Sequence, residues 1–336
     1  MVVECSTDEI AKAVRDYDGV TRKRAIGEII KSLRLVTPPN VPVSFGDDAA
    51  LIQNGDTGLL LAADGIWSRL LDADPYWAGF CAVLVNVHDI AAMGGTPPLA
   101  VVDIMSVKDA KVCHEVLRGM YEASEKFCVP VVGGHLHPDA EMNVIDVAIL
   151  GCVDPEYAIF SHTAGVGDRV IAAIDLEGRV HPSCAMNWDS ATLRTAEEVR
   201  AQIKLMHTLG QERLVSAGKD ISNPGVIGTL GMLLESSRKG AVVCLEDIPR
   251  PDLDALGLTF EHWVRMYPGM GFIVTVPAEA VDTVLTLFSD VGMAAADIGV
   301  VNDTGQLFIR HCENETMVFD LNEQGGIMGG LPPRDD

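Results

Sequence analysis

The chain has 336 residues, enough for two domains of ordinary size, and 48% of them are apolar against only 5% aromatic, so aliphatic side chains must fill both cores. With 48 acidic and 25 basic residues the formal net charge is −23, a field that repels nucleic acid and anionic membrane surfaces. No apolar run approaches the ~20 residues of a membrane span, and Glu4, Asp8 and Glu9 break up any leader-like start, so a cytoplasmic location is expected. In chain order, helices are expected at Thr7–Tyr17 and Ala25–Leu33, with the basic patch Arg22-Lys23-Arg24 between them, followed by short strands at Val41–Phe45, Ala49–Ile52 and Leu59–Ala63. Asp74 as N-cap, Pro75 at the first position and Gly94 as the stop frame a long helix, Pro75–Met93. A strand (Leu99–Met105), a helix (Asp109–Phe127) and two strands (Val129–Val132, Asn143–Leu150) complete the first half.

Past a polar stretch at Asp154–Asp168, a strand is expected at Arg169–Ile174 and an irregular segment at Glu177–Thr192. Helices follow at Ala196–Leu209, Gly225–Lys239, Thr259–Met266 and Ala278–Val291. The intervening strands are Ala241–Leu245, Gly271–Val276, Ala296–Val301, Gln306–Ile309 and Thr316–Asp320. Strands often follow strands, so two α+β domains fit better than a doubly wound sheet. The tail from Gly325, rich in Gly and Pro, reads as mobile. Eight cysteines are scattered without a Cys-x-x-Cys pair, and several sit in apolar runs, as in a reduced protein without a disulfide frame.

Carboxylates stand where they are costly. The helix that holds Asp89 is apolar nearly all round, so Asp89 needs a partner, a proton or a metal. Asn86 lies three residues away on the same face, whereas His88 points elsewhere and reads as an ordinary hydrogen-bonded histidine. Asp47 and Asp48 are adjacent in an extended segment and face opposite ways, so one of them can aim into a cleft. Asp64 closes an apolar strand before Gly65, where a plain turn is the competing explanation. The helix opened by Asn223 and Pro224 has Gly225, Gly228 and Gly231 in its early turns, which suits either an approaching anion or close packing. No Walker-type lysine loop and no strand-bound G-x-G-x-x-G is present.

GDDAA at 46–50, AADG at 62–65, VNVHDIAAMGG at 85–95, VPVVGGH at 129–135 and KDISNPG at 219–225 resemble, in this order, the signatures of one superfamily. It contains aminoimidazole ribonucleotide synthetase, thiamine-monophosphate kinase, selenophosphate synthetase and the hydrogenase-maturation dehydratase. The fuller wording, including GVTRKRAI, GGHLHPD, VHPSCAMNWDSAT and MYPGMGF, is most similar to the methanogenesis marker protein 2 family.

The resemblance implies a two-domain PurM-like α+β fold. Residues 1–160 would form an ATP-binding domain that builds a β-barrel in a homodimer, 161–324 an α/β sandwich, and 325–336 the mobile tail. It also implies ATP and magnesium as cofactors, with Asp47, Asp48, Asp64, Asp89 and Asp220 as metal acids. Asp47, Asp89, His135 and Asp220 would be catalytic. Lys23, Asp64, Asn86, Gly94, Gly95, Gly133, Gly134, Asn223 and Gly225 would contact the nucleotide. The implied activity is phosphorylation of a small molecule or a protein group. Alternatives are thiamine-monophosphate kinase and a nucleotide-binding assembly factor with little catalysis. Two departures remove negative charge from the implied site: His135 replaces the acid of a Gly-Gly-Asp, and Asn223 replaces a second acid after Asp220. His135 and His137, with Asp139 nearby, could also suit a softer metal, a reading ranked below phosphate or substrate orientation. Substrate selection is assigned to His181–Thr192, a segment with one anchoring tryptophan, Trp188.

Overall fold

Two helices that are apolar on nearly every side, Pro75–Ala92 and Gly225–Ser237, can be buried only against sheets, and each is. The computed structural model describes residues 6–33, 38–322 and 326–329. Its first half runs α1 (Thr7–Arg15), α2 (Asp18–Thr21), α3 (Ala25–Leu33), β1 (Ala50–Asn54), β2 (Thr57–Gly65), α4 (Ser68–Ala73), α5 (Pro75–Ala92), β3 (Pro98–Ser106), α6 (Ala110–Phe127), β4 (Val131–His137) and β5 (Val144–Val153). There follow β6 (Arg169–Ile174), β7 (Arg179–His181), β8 (Cys184–Asp189), α7 (Ala196–Gln211), β9 (Ala217–Asp220), α8 (Gly225–Ser237) and β10 (Gly240–Cys244). The chain ends with α9 (Leu253–Leu256), α10 (Phe260–Trp263), β11 (Tyr267–Pro268), β12 (Gly271–Val276), α11 (Val281–Asp290), β13 (Ala294–Asn302), β14 (Gln306–His311) and β15 (Asn314–Asp320).

The first sheet has the order β1-β2-β5-β3-β4 and is open at both edges within one chain. Its period-2 pattern puts Leu60, Ala62, Val101, Met105, Val147 and Ile149 against α5 and α6, and leaves Leu61, Val102 and Ile104 on an uncovered face. The second sheet is seven-stranded, β15-β14-β10-β13-β6-β12-β9, and both of its faces are covered. Along β6, Val170, Ala172 and Ile174 join a core with α1 and α8, whereas Ile171 and Ala173 join the core of α5 and α7. The core around α5 therefore runs without interruption from one sheet to the other. No helix among the described residues is long and apolar enough to cross a membrane.

Most expected elements form, with differences at segments held by tertiary pairing. Val41–Phe45 is not a strand; only Val43 bridges Leu51. The irregular segment Glu177–Thr192 is a hairpin, β7–β8, extended by β11 into a three-stranded sheet. Its anchor is as expected: Trp188 is buried and donates its ring N–H to the Asp175 carbonyl at 2.9 Å. Ala217–Asp220, too short to stand out by pattern, is an edge strand paired with β12. The segment expected to be helical over Ala278–Val291 opens with a tight 3-10 turn before α11. Helix α1 is closed by a capping box between Ser6 and Glu9 and packs on β15 through a Thr7–Thr316 hydroxyl pair at 2.8 Å. Within the expected mobile tail, residues 326–329 are packed: Ile327 and Met328 donate their backbone N–H groups to Glu235. Cys5, Gly325 and residues 330–336 lie outside the described residues.

Helices α5 and α6 cross at two glycines. A Cβ on Gly79 would lie 2.1 Å from the Val116 carbonyl oxygen, and one on Gly119 would lie 2.0 Å from that of Tyr76. Alanine in a helix normally stabilises by about 1 kcal/mol over glycine, but here the backbones cannot part without opening the core. Gly79→Ala and Gly119→Ala are each expected to lower stability by ~2–4 kcal/mol in urea unfolding.

Candidate metal centre and its cleft

Four acids arrive from four elements. Cys81, Val85 and Asp89 repeat at i, i+4 and i+8, so they form one stripe of α5, and Cys81 and Val85 line a cleft of about 300 Å3. Asp64 ends β2 on the face that α5 covers, in step with Leu60 and Ala62. Asp220 ends β9, and Asp48 comes from the loop ahead of β1. Oxygens of Asp48, Asp89 and Asp220 lie within 4.8 Å of one another. Asp64 and Asp220 reach the cleft wall beside Lys23, Tyr17, Trp67, Arg69, Asn223 and the β7–β8 hairpin.

The loop carrying the adjacent acids is held from both sides. Asp47 accepts the Ser161 amide N–H at 2.6 Å and lies 3.0 Å from His162 Nδ1. Ser236 donates its hydroxyl to the Gly46 carbonyl at 2.8 Å. The two acids do face opposite ways: Asp47 ties down the strand-connecting segment, while Asp48 joins Asp89 and Asp220. Lys219, one residue before Asp220 and buried, makes an ion pair with Asp48 Oδ1. The other oxygen of Asp48 is buried with no hydrogen-bond partner among the described residues.

Burial pushes the Asp89 and Asp220 carboxyls up; neighbouring acids add to the effect at Asp89, whereas Lys219 and Lys23 moderate it at Asp220. Asp64 opens to the cleft, yet the surrounding protein lifts its carboxyl to about 6, with Lys23 pulling it down and Asp220 pushing it up. Burial also lowers the Lys219 ammonium, against the pull of Asp220 and Asp47. An all-oxygen donor set with an unserved buried carboxylate oxygen suits a hard divalent cation such as magnesium, which binds oxygen at about 2.0–2.1 Å. The residues present fit that ion.

Other sequence candidates fall elsewhere. Asn86 donates to the Ala82 carbonyl of its own helix at 2.8 Å, and its Oδ1 is buried without a hydrogen-bond partner among the described residues. Gly94 and Gly95 are buried in the turn after α5; a Cβ on Gly95 would meet Leu60 and Ile90, and the Gly94 oxygen pairs with His207. At α8 the glycines serve packing. Gly225 has φ +71° with Val264 O 2.3 Å from its Cβ position, Gly228 faces Pro224 and Val20, and Gly231 faces Ile327 and Phe319. The N–H groups of Gly225 and Val226 are already bonded to Ser222 and Val264. The cap position of α8 falls on Pro224, and Asn223 lines the cleft.

Gly133, Gly134 and His135 lie on β4, the exposed edge strand. His135 is in register with Ile104 on the uncovered face, three strands (about 14 Å) from β2 and on the side of the sheet away from Asp64. Nothing within one chain brings it to the carboxylates. His88 is buried against the Met270 sulfur at 3.0 Å, and burial drives its ring down to about 3, so it is neutral. The residues that the sequence reading missed are Lys219, Tyr17, Trp67 and Arg69. Arg22 and Arg69 stack on the Trp67 ring at 4.6 and 3.8 Å. Lys219 was visible only as a lysine ending an apolar stretch beside a candidate acid.

The AIR synthase related protein family matches through its N-terminal domain over residues 46–153 and its C-terminal domain over residues 165–312. An uncharacterized protein of Methanocaldococcus jannaschii is 43% identical over 94% of this chain and 97% of its own length. A selenide, water dikinase of Carboxydothermus hydrogenoformans is 27% identical over 73% of this chain and 71% of its own. Among solved structures, T. maritima PurL complexed with ATP superposes with a TM-score of 0.74 at 17% identity; the match covers 98% of this chain and 53% of that one, so this chain spans about half of PurL.

A carboxyl raised by folding weakens the fold once it ionises, and protonation relieves that cost as the pH falls from above about 6 toward 3.8. A divalent cation relieves it at neutral pH instead. Magnesium at 100 times its Kd is expected to stabilise the protein by about 2.7 kcal/mol at pH 7.5, and far less at pH 5, where protons compete for the same oxygens. Calorimetric melting at the two pH values checks this. Asp89→Asn should melt higher than wild type at pH 7.5 without magnesium and lose most of the magnesium response.

Proposed function

The chain belongs to the AIR synthase related protein family, and from that membership we propose that it is a magnesium- and ATP-dependent phosphotransferase or ligase-like enzyme. It activates a small molecule or a protein group by phosphorylation, in a methanogenesis-linked pathway. The observation that carries the reading is the convergence of Asp48, Asp89 and Asp220 beside a cleft whose other wall is cationic and aromatic. Asp48, Asp89 and Asp220 hold magnesium, with Asp64 at the edge of the group. The chemistry that magnesium would supply at these carboxylates is neutralisation of phosphate charge during phosphoryl transfer.

The chain's own residues supply the rest. Lys219 neutralises and orients Asp48 from beneath, and Lys23 faces the phosphates. The Trp67 ring, backed by Arg22 and Arg69, offers a flat and positive surface for an anionic ligand. Ser183–Asn187 of the β7–β8 region forms the wall opposite and selects the acceptor. With Asn223 in place of an acid at the cleft, the site carries one carboxylate fewer than the thiamine-kinase pattern, which favours a different acceptor from thiamine monophosphate.

Homodimerisation through the first sheet completes the proposal. Its uncovered face displays Leu61, Val102 and Ile104, an apolar surface of the kind that marks an interface. A partner sheet laid there would also give Gly133 and His135 a second chain to face. Ile104→Asp is expected to convert the dimer to monomer in sedimentation equilibrium.

Calorimetric titration with ATP tests the nucleotide reading. Magnesium-dependent binding should fall at least ~100-fold in Asp89→Asn and Asp48→Asn, while Asp47→Asn should act mainly on stability. Turnover of thiamine monophosphate would shift the assignment to that kinase. ATP hydrolysis seen only with a partner protein would shift it to an assembly factor. Absence of binding by folded wild-type protein would overturn the nucleotide reading.

A further inference from the structure

A second set of metal-type donors gathers at the far side of the seven-stranded sheet. Strands β10 and β14 run parallel, with Cys244 opposite Arg310, so their ends share one rim of the sheet. Cys244 ends β10, Glu246 follows in the tight turn Leu245–Asp247, His311 ends β14, and Cys312 opens the turn into β15. From β10 to β9, which carries Asp220, is four strand spacings, about 19 Å. The acid cluster is elsewhere.

The other three side chains converge on the Glu246 carboxylate. Cys312 Sγ lies 3.6 Å and His311 Nδ1 2.5 Å from Glu246 Oε1, and Cys244 Sγ lies 3.0 Å from Oε2. Ligand atoms of Glu246, His311 and Cys312 all fall within 4.8 Å of one another. The imidazole nitrogen, close as it is, makes no hydrogen bond with the carboxylate and is buried. The Cys312 backbone N–H donates to Glu246 at 2.9 Å, which fixes the carboxylate. Cys312 itself takes φ +52°, a left-handed conformation normally left to glycine or asparagine. Asp247, Arg310 and Glu313 are the charged neighbours in sequence.

Two thiols, one imidazole and one carboxylate are a donor set that selects a borderline divalent cation over magnesium. We propose that Cys244, Glu246, His311 and Cys312 form a zinc-type site that clips the β10 turn to the β14–β15 hairpin. Binding would form two metal–thiolate bonds and release the two thiol protons to solvent, with no change of oxidation state. Cys312 is exposed and provides the route of entry. The site is independent of the phosphotransferase reading.

The test uses the full chain, reduced and stripped with a chelator, then titrated with zinc against a chromophoric competitor and with cobalt(II). One zinc per chain is expected, and cobalt should give a near-ultraviolet thiolate-to-metal charge-transfer band. That band distinguishes this site from the all-oxygen cluster and should persist in Asp89→Asn. Cys312→Ser, on an exposed turn that tolerates serine, and His311→Gln should each weaken zinc binding at least ~100-fold while leaving ATP titration unchanged. Circular dichroism confirms that the variants are folded. Absence of the band in reduced wild-type protein would overturn the proposal. So would a band of undiminished intensity in the Cys244→Ser/Cys312→Ser double variant, or a native Cys244–Cys312 disulfide that takes up no zinc after reduction.

Discussion

Everything at the acidic site follows from where α5 lies. A helix without a polar face must be covered all round, and the chain covers it with the first sheet and α6 on one side and elements of the second half on the other. Asp89 rides on that helix into a place where water cannot solvate its charge. The fold answers by bringing Asp48 and Asp220 to it and by setting Lys219 against Asp48. More acids than lysines in a dry place is an unbalanced arrangement for a bare protein, and it is the balance that a divalent cation corrects.

The net charge of −23 acquires a local meaning from this geometry. The overall field repels a phosphorylated ligand, but the mouth of the cleft does not, because Lys23, Arg22 and Arg69 gather around Trp67. Attraction is confined to one opening, and the clustered carboxyls sit behind it.

Much of this was legible in the chain. The long helix was readable because Asp74, Pro75 and Gly94 punctuate an apolar run, and its buried acid was conspicuous for the same reason. β6 and β12 were found at their observed limits, since continuous aliphatic runs mark strands covered on both faces. β7 and β8 were not found, because their pattern is polar and the hairpin they form is completed only by β11, some eighty residues away. The sequence also could not decide between Asp47 and Asp48: alternation says that they diverge, and only Ser161 and His162 say which way. The glycines of α8 were ambiguous between an anion seat and close packing until neighbours appeared at their Cβ positions. His135 follows a motif closely, yet its strand presents it to the uncovered face.

The shared core has a kinetic side. Two-domain proteins commonly admit ligands by hinging, but a hinge here would pull α5 off one of its sheets and expose the aliphatic surface that joins them. The joint is in effect welded. The elements around the cleft are fastened too: Val20 is buried beside α8, and the β7–β8 hairpin is pinned by buried Trp188 and by the Trp77–Asn187 hydrogen bond at 3.1 Å. The cleft is thus preformed, so a ligand that enters it loses little free energy to ordering the protein around it.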